Sequence, residues 1–245
     1  MWLINSSIGR KVVMSVTGIA LILFLLFHAS MNVVALFSAK GYNMICGFLG
    51  GNWYAVAATV GLAGLVLLHF VYAFWLTIQN RRARGNSRYA VTDTPKKVEW
   101  SSQNMLVLGI IVILGMGLHL YNFWAKMMLV ELAHDCYSEE VQKLAANGVH
   151  WIAETFSCPI YTGIYLVWLA ALWFHLNHGL WSSMQSLGLS GKIWFNRWRA
   201  ISCIVSTIII LMFVAVAVAF CLGFRPCDFN EVAGAVSNAC HAAGC

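Results

Sequence analysis

Charge is what this chain has least of. Only 10% of its 245 residues are Asp, Glu, Lys or Arg, against about 25% in a soluble domain. Acid is the scarcer sign: there are nine Asp and Glu, and the first is Asp93. So little charge excludes a water-soluble domain of ordinary surface. Proline is nearly missing too, with three residues, of which Pro159 alone lies beside a long apolar run. It stands at a run's start, where a helix tolerates it. The internal Gly or Pro pairs that break spans, and the inverted repeats, expected of a transporter with a His-lined path are not found in the sequence.

The chain has instead five apolar runs, Val12–Phe37, Trp53–Ile78, Met105–Trp124, Ile160–Trp181 and Ile201–Phe224, none containing Asp, Glu, Lys or Arg. Each is about 20 residues or longer, enough to cross a hydrocarbon core of about 30 Å as a helix. The first is too long for a signal peptide and has no small-residue cleavage site, so it reads as a span. The expected fold is all-α, an integral membrane bundle of five transmembrane helices. Residues 1–224 form the membrane domain, and 225–245 a short, small-residue-rich outer tail expected to be poorly ordered.

Lys and Arg set the orientation. Eleven fall on one side: Arg10, Lys11, Arg81, Arg82, Arg84, Arg88, Lys96, Lys97, Lys192, Arg197 and Arg199. Four fall on the other: Lys40, Lys126, Lys143 and Arg225. The amino terminus is therefore expected to be cytoplasmic in a multi-pass protein of the bacterial inner membrane. A nucleic-acid partner is not expected, because the basic residues sit at helix ends. Residues 79–100 read as a polar cytoplasmic loop, and Glu139–Ala145 as a short helix on the outer surface. Of eight cysteines, Cys203 and Cys221 read as small apolar fillers. The other six lie outside, where disulfides are permitted but their connectivity is not legible. The tail sequence Cys240-His241 through Cys245 lacks the C-x-x-C-H pattern of covalent haem attachment.

Against this apolar background the histidines carry the chemistry. His28, His69, His119 and His175 lie deep in four different runs, and His178 follows one turn after His175. Ionisable groups at such depth are costly and usually functional. Measured from run midpoints, His28 and His119 are displaced toward the outside, and His69 and His175 toward the cytoplasm, each by about 6–7 Å. Two imidazoles at each of two levels are what two bis-histidine haems need. Zinc would want four convergent ligands, often with Cys or carboxylate. Small residues beside the ligands, among them Gly115, Ala73, Ala171 and Gly179, are expected to leave room for a ring, although close helix packing explains them equally. His178 falls about 4.5 Å nearer the cytoplasm than His175, at the inner rim, within reach of a haem propionate or a quinone.

These residues carry a resemblance. Ser6-Ser7-Ile8-Gly9-Arg10-Lys11 with Thr17-Gly18 and His28, then His119-Leu120-Tyr121-Asn122-Phe123-Trp124, then His175-Leu176-Asn177-His178-Gly179-Leu180-Trp181 with Leu187-Gly188, resemble the cytochrome b membrane anchor of succinate dehydrogenase and fumarate reductase, in its single-chain, five-helix, two-haem form. The resemblance covers about residues 1–224, and it too selects His175 over His178 as the ligand. It implies two haem b, one held by His28 and His119 and one by His69 and His175, with His178 beside the inner haem. It implies a flavoprotein subunit with covalent FAD and an iron–sulfur subunit on the cytoplasmic side. The chain would then be the membrane subunit of a succinate:quinone oxidoreductase, not the subunit that interconverts succinate and fumarate. A dimer of the heterotrimer is among the assemblies it allows. No G-x-G-x-x-G after a strand and no cytoplasmic Cys cluster is present, in keeping with an anchor that leaves FAD and iron–sulfur clusters to its partners. The quinone, expected to be menaquinone, is placed toward the outer haem, with Ser30, Asn32, Tyr121 and Asn122 as candidates. The membrane carboxylates that relatives use are missing here. The alternative reading is the cytochrome b subunit of a hydrogenase or formate dehydrogenase.

Overall fold

The computed structural model describes residues 6–50, 52–84 and 99–232. All of their regular structure is helical, without a strand. Five helices are long and apolar enough to cross a membrane. Their α-helical parts are α1 (Ser7–Val33), α3 (Trp53–Arg84), α5 (Met105–His119), α9 (Pro159–Ser186) and α10 (Lys192–Cys221); the first span runs on to Leu36 and the third to Trp124. The chain is thus an all-α, multi-pass membrane protein. Between the spans lie α2 (Ala39–Gly50), the single turn α4 (Trp100–Gln103), and α6 (Met128–Leu132), α7 (Glu139–Ala145) and α8 (Gly148–Ser157).

The spans outrun the apolar sequence at their basic ends. Helix α3 continues through Arg81, Arg82 and Arg84, and α10 begins at Lys192, nine residues before the expected Ile201. The first turns of α10 carry Trp194, Arg197 and Trp198. Arg197 lies over the Trp194 ring at 5.1 Å, and the Trp198 indole donates to the Leu189 carbonyl at 3.0 Å. Long basic and aromatic side chains of this kind let a helix run on past the hydrocarbon. Pro159 is the first residue of α9, and α7 has the bounds read from the sequence. Both α9 and α10 end on glycines in the left-handed region, Gly188 (φ 78°) and Gly223 (φ 83°). Each is followed by a six-to-one bond, Leu189 N–H to Met184 O and Phe224 N–H to Ala219 O, both 2.9 Å. This is the helix stop that a side chain with a Cβ resists.

The chain separates into two units. The first holds residues 1–25, 60–111 and 171–208. Within it the Trp173 indole donates to Thr207 Oγ1 at 3.0 Å, and Trp100 meets Phe174 edge-on at 5.3 Å. The second holds residues 26–59, 112–170 and 209–245. Its core gathers Ala35, Ala39, Tyr42, Val149, Ile152, Phe156, Tyr165, Val216, Ala217 and Phe220, so here the connecting helices α2 and α8 are packed and not merely draped. A Cβ on Gly148 would stand 2.5 Å from Cys46 Sγ, which shows how closely α8 meets α2. The same contact buries the Cys46 thiol and pushes it up to about 11. Asn43 and Asn147 bond across this contact at 2.8 Å. Asp228 accepts from Ser38 Oγ at 2.7 Å and from the Ala39 and Lys40 N–H groups at 2.8 and 3.0 Å, closing the N-terminus of α2. The first part of the tail is therefore bonded into the unit; residues 233–245, with Cys240, His241 and Cys245, lie outside the described residues. Cys203 is exposed on its helix, not a filler, and the cysteines among the described residues are free thiols.

Candidate functional site: two histidine pairs

The four deep histidines are brought together two by two, in the pairs read from depth. In the first unit His69 of α3 faces His175 of α9, ring centroids 6.5 Å apart at an interplanar angle of 69°. In the second His28 of α1 faces His119 of α5, centroids 5.8 Å apart at 81°. Two metal–imidazole bonds of about 2 Å laid in line would put ring centroids about 6 Å apart. Both pairs lie close to that span. Among the described residues no group of three or more His, Cys, Asp or Glu side chains converges. The donor set at each pair is therefore two imidazoles, which suits a metal whose other ligands come from a macrocycle and does not suit a four-ligand protein zinc site.

The His69–His175 pair is cradled by glycines. A Cβ on Gly18 would stand 3.3 Å from His69 Cε1, and one on Gly109 3.8 Å from His175 Cε1. His69 Nδ1 lies 3.0 Å from the hydroxyl of Thr17, whereas His175 Nδ1 is buried with no hydrogen-bond partner. Nothing lies within 4 Å of where a Cβ on Gly179 would sit. This unit also holds most of the buried, unpartnered polar side-chain atoms among the described residues: Arg10 Nε, Trp181 Nε1, Ser202 Oγ and Ser206 Oγ join the ring nitrogens of His175 and His178. Such groups are normally satisfied. Most of them are donors, so an acceptor-rich group such as a carboxylate-bearing haem fits this set.

The His28–His119 pair has aromatic walls. Phe213 lies 5.7 Å from His28, and Phe123 and Trp168 lie 5.1 and 6.0 Å from His119. The Trp168 indole donates to the Val112 carbonyl at 3.0 Å and occupies the notch left by the missing side chain of Gly115. The room expected at Gly115 is thus taken by tryptophan. Immediately after His119 the helix widens into a π turn, Leu120–Trp124, closed by Ala125 N–H to Leu120 O at 2.8 Å. Single π turns inside α-helices are frequent at functional sites, and nothing in the sequence marked this one.

The remaining candidates fall out as follows. His178 Nδ1 is 3.6 Å from Glu99 Oε2, an electrostatic contact too long for a hydrogen bond. Glu99 is also paired with Arg199, and the His178 ring meets Trp181 edge-on at 4.9 Å. Reading 79–100 as loop concealed Glu99, the acidic partner of this cluster. Of the quinone candidates, Ser30 Oγ bonds the Leu26 carbonyl at 2.8 Å. Asn32 donates to the His28 carbonyl at 2.8 Å and accepts from Tyr42 at 3.3 Å. Asn122 is buried and donates to Tyr165 OH at 3.2 Å. Tyr121 is 66% exposed. Three of the four thus spend their polar atoms inside the protein. In the same unit Lys126 Nζ pairs with Glu154 at 3.1 Å, and His150 Nε2 lies 3.4 Å from the same carboxylate. Burial raises the Glu131 carboxyl above its ordinary value.

Comparison with protein-family models, with curated proteins and with solved structures finds no match to this chain.

Proposed function

We propose that this chain is a di-haem cytochrome b, the membrane anchor of a bacterial succinate:quinone oxidoreductase or fumarate reductase, lying in the cytoplasmic membrane with its amino terminus inside. The observation that carries the reading is the pairing of four deep histidines into two facing couples, at 5.8 and 6.5 Å between centroids. His28 and His119 would hold one haem iron, His69 and His175 the other. Bound haem supplies one-electron redox chemistry at potentials set by its axial ligands and their surroundings. The chain's own part is to fix the imidazoles, through Thr17 and Gly18 at His69 and through the aromatic walls at His119. The apolar helices around them keep water away.

The unpartnered donors at Arg10, Trp181, Ser202 and Ser206 are where haem carboxylates would find partners. His178, balanced against Glu99 and Arg199, stands beside the His69–His175 pair without belonging to it. The basic helix ends, Arg81–Arg84 and Lys192–Arg199, would meet an iron–sulfur subunit that passes electrons from a flavoprotein with FAD. Menaquinone would exchange electrons near the His28–His119 haem. There Tyr121, being exposed, is the candidate most available to a quinone carbonyl. A reduced-minus-oxidised spectrum of the purified chain with b-type bands supports this reading, and a spectrum without them removes it. Subunits that copurify with the chain separate a succinate dehydrogenase from the hydrogenase or formate dehydrogenase alternative.

A further inference from the structure

The two ligands of the His69–His175 pair are held differently. His175 Nδ1 finds no partner. His69 Nδ1 is 3.0 Å from Thr17 Oγ1, and the same oxygen is 2.9 Å from the carbonyl of Val13 and 3.1 Å from that of Met14. Thr17 is only 4% exposed, so water does not complete this set.

A hydroxyl has one hydrogen and two lone pairs, and a neutral imidazole carries its hydrogen on one of two nitrogens. The carbonyls can only accept. If the Thr17 hydrogen points back to Val13 or Met14, as a helical threonine's commonly does, its lone pair faces His69, and Nδ1 must be the nitrogen that donates. Thr17 then takes part in two hydrogen bonds. If its hydrogen pointed to Nδ1 instead, the hydroxyl would make one bond, and His69 would carry its hydrogen on Nε2, the position needed to ligate a metal. Counting bonds therefore selects Nδ1–H with a free Nε2 lone pair. Gly18 adds a steric term, since a Cβ there would press on the imidazole edge at 3.3 Å.

We propose that Thr17 is a positioning residue for the cofactor at His69 and His175: its hydroxyl fixes His69 in the tautomer whose Nε2 is free to bind iron. This rests on the haem reading above. A partner on the distal nitrogen of a ligating histidine typically matters 10- to 100-fold in metal affinity.

The test uses the purified membrane protein with whatever subunits accompany it. Haem per chain is measured by pyridine haemochrome, haem release by transfer to apomyoglobin, and the potential of each haem by redox titration. Thr17→Val keeps the volume and deletes the hydroxyl. It is expected to speed release of the His69–His175 haem about 10- to 100-fold and to shift its potential, while the His28–His119 haem stays as in the wild type and Thr17→Ser restores both quantities. Release and potential unchanged in Thr17→Val would overturn the proposal with the haem reading intact. A wild-type chain without two haems would instead remove the reading itself. If Thr17→Val loses both haems through misfolding, Thr17→Ala and Thr17→Ser decide: faster release from the alanine variant supports the proposal, and equal rates overturn it.

Discussion

The two glycines flanking the His69–His175 pair make a matched experiment. Gly18 and Gly109 both sit inside spanning helices, so replacing either with alanine brings the same gain in helix propensity, about 1 kcal/mol. They differ in what the new methyl meets. At position 109 it stands 3.8 Å from His175 Cε1, an ordinary contact; at position 18 it stands 3.3 Å from His69 Cε1. His69 cannot easily yield, because moving its ring stretches the 3.0 Å contact with Thr17. Overpacking of a close-packed site costs about 1–3 kcal/mol. Gly18→Ala should therefore be less stable than Gly109→Ala by about that amount, a ratio of about 5- to 150-fold at 1.4 kcal/mol per factor of ten. Unfolding of both variants in mixed detergent, followed by haem absorbance and by tryptophan fluorescence, measures the gap. Gly109→Ala is expected to equal or exceed the wild type, and Gly18→Ala to fall below it with its loss concentrated in the His69–His175 haem. If Gly109→Ala is as damaging as Gly18→Ala, the two imidazoles are not held in the unequal way described.

Other outcomes follow from the same structure. His28→Ala and His119→Ala should abolish one and the same haem spectrum, and His69→Ala and His175→Ala the other. His178→Ala should retain both, with at most a shifted potential; loss of a haem in that variant would move the ligand assignment from His175. The Asp228 carboxylate, held by Ser38 and the Lys40 and Ala39 amides, is drawn from 3.8 down to about 2. Because its folded value is the lower one, its contribution to anchoring α2 is complete above pH 3.8 and fades as the pH falls through about 2. Hydrogen exchange should accordingly show the Ala39–Gly50 amides less protected in Asp228→Asn than in the wild type at neutral pH, with the difference shrinking in acid; equal protection at neutral pH would contradict it. Reversing Arg81, Arg82 and Arg84 together to glutamate should weaken recovery of an iron–sulfur subunit with the chain, as read from a pull-down, and unchanged recovery would leave those arginines to topology and lipid alone.

What was legible in the sequence was what periodicity and hydropathy can carry. The five spans, the helix start at Pro159 and the short helix Glu139–Ala145 needed no tertiary information. Pairing of the histidines was legible from depth alone, because a rigid rise of 1.5 Å per residue turns position into height. Several of the misses depend on which side chain fills which space. Trp168 filling the notch at Gly115 could not be told from room for a ring, since a glycine signals closeness without saying to what. The sequence did not mark α2 or α8 as packed, because their burial against each other comes from Asn43, Asn147 and Gly148 meeting across the chain. Glu99 was hidden in a stretch read as loop, although an acid beside an apolar run that otherwise carries none is a signal worth weighing. The π turn after His119 rests on a one-residue shift of backbone bonding, to which apolar patterning is blind.

The central claim, two haems on one chain held by two histidine pairs, is tested most directly by counting. Pyridine haemochrome assay of the purified chain against its protein mass should give two protohaems per chain, falling to one in His28→Ala and also to one in His69→Ala, with complementary spectra. A count of one in the wild type, or the same surviving spectrum in both variants, would contradict it.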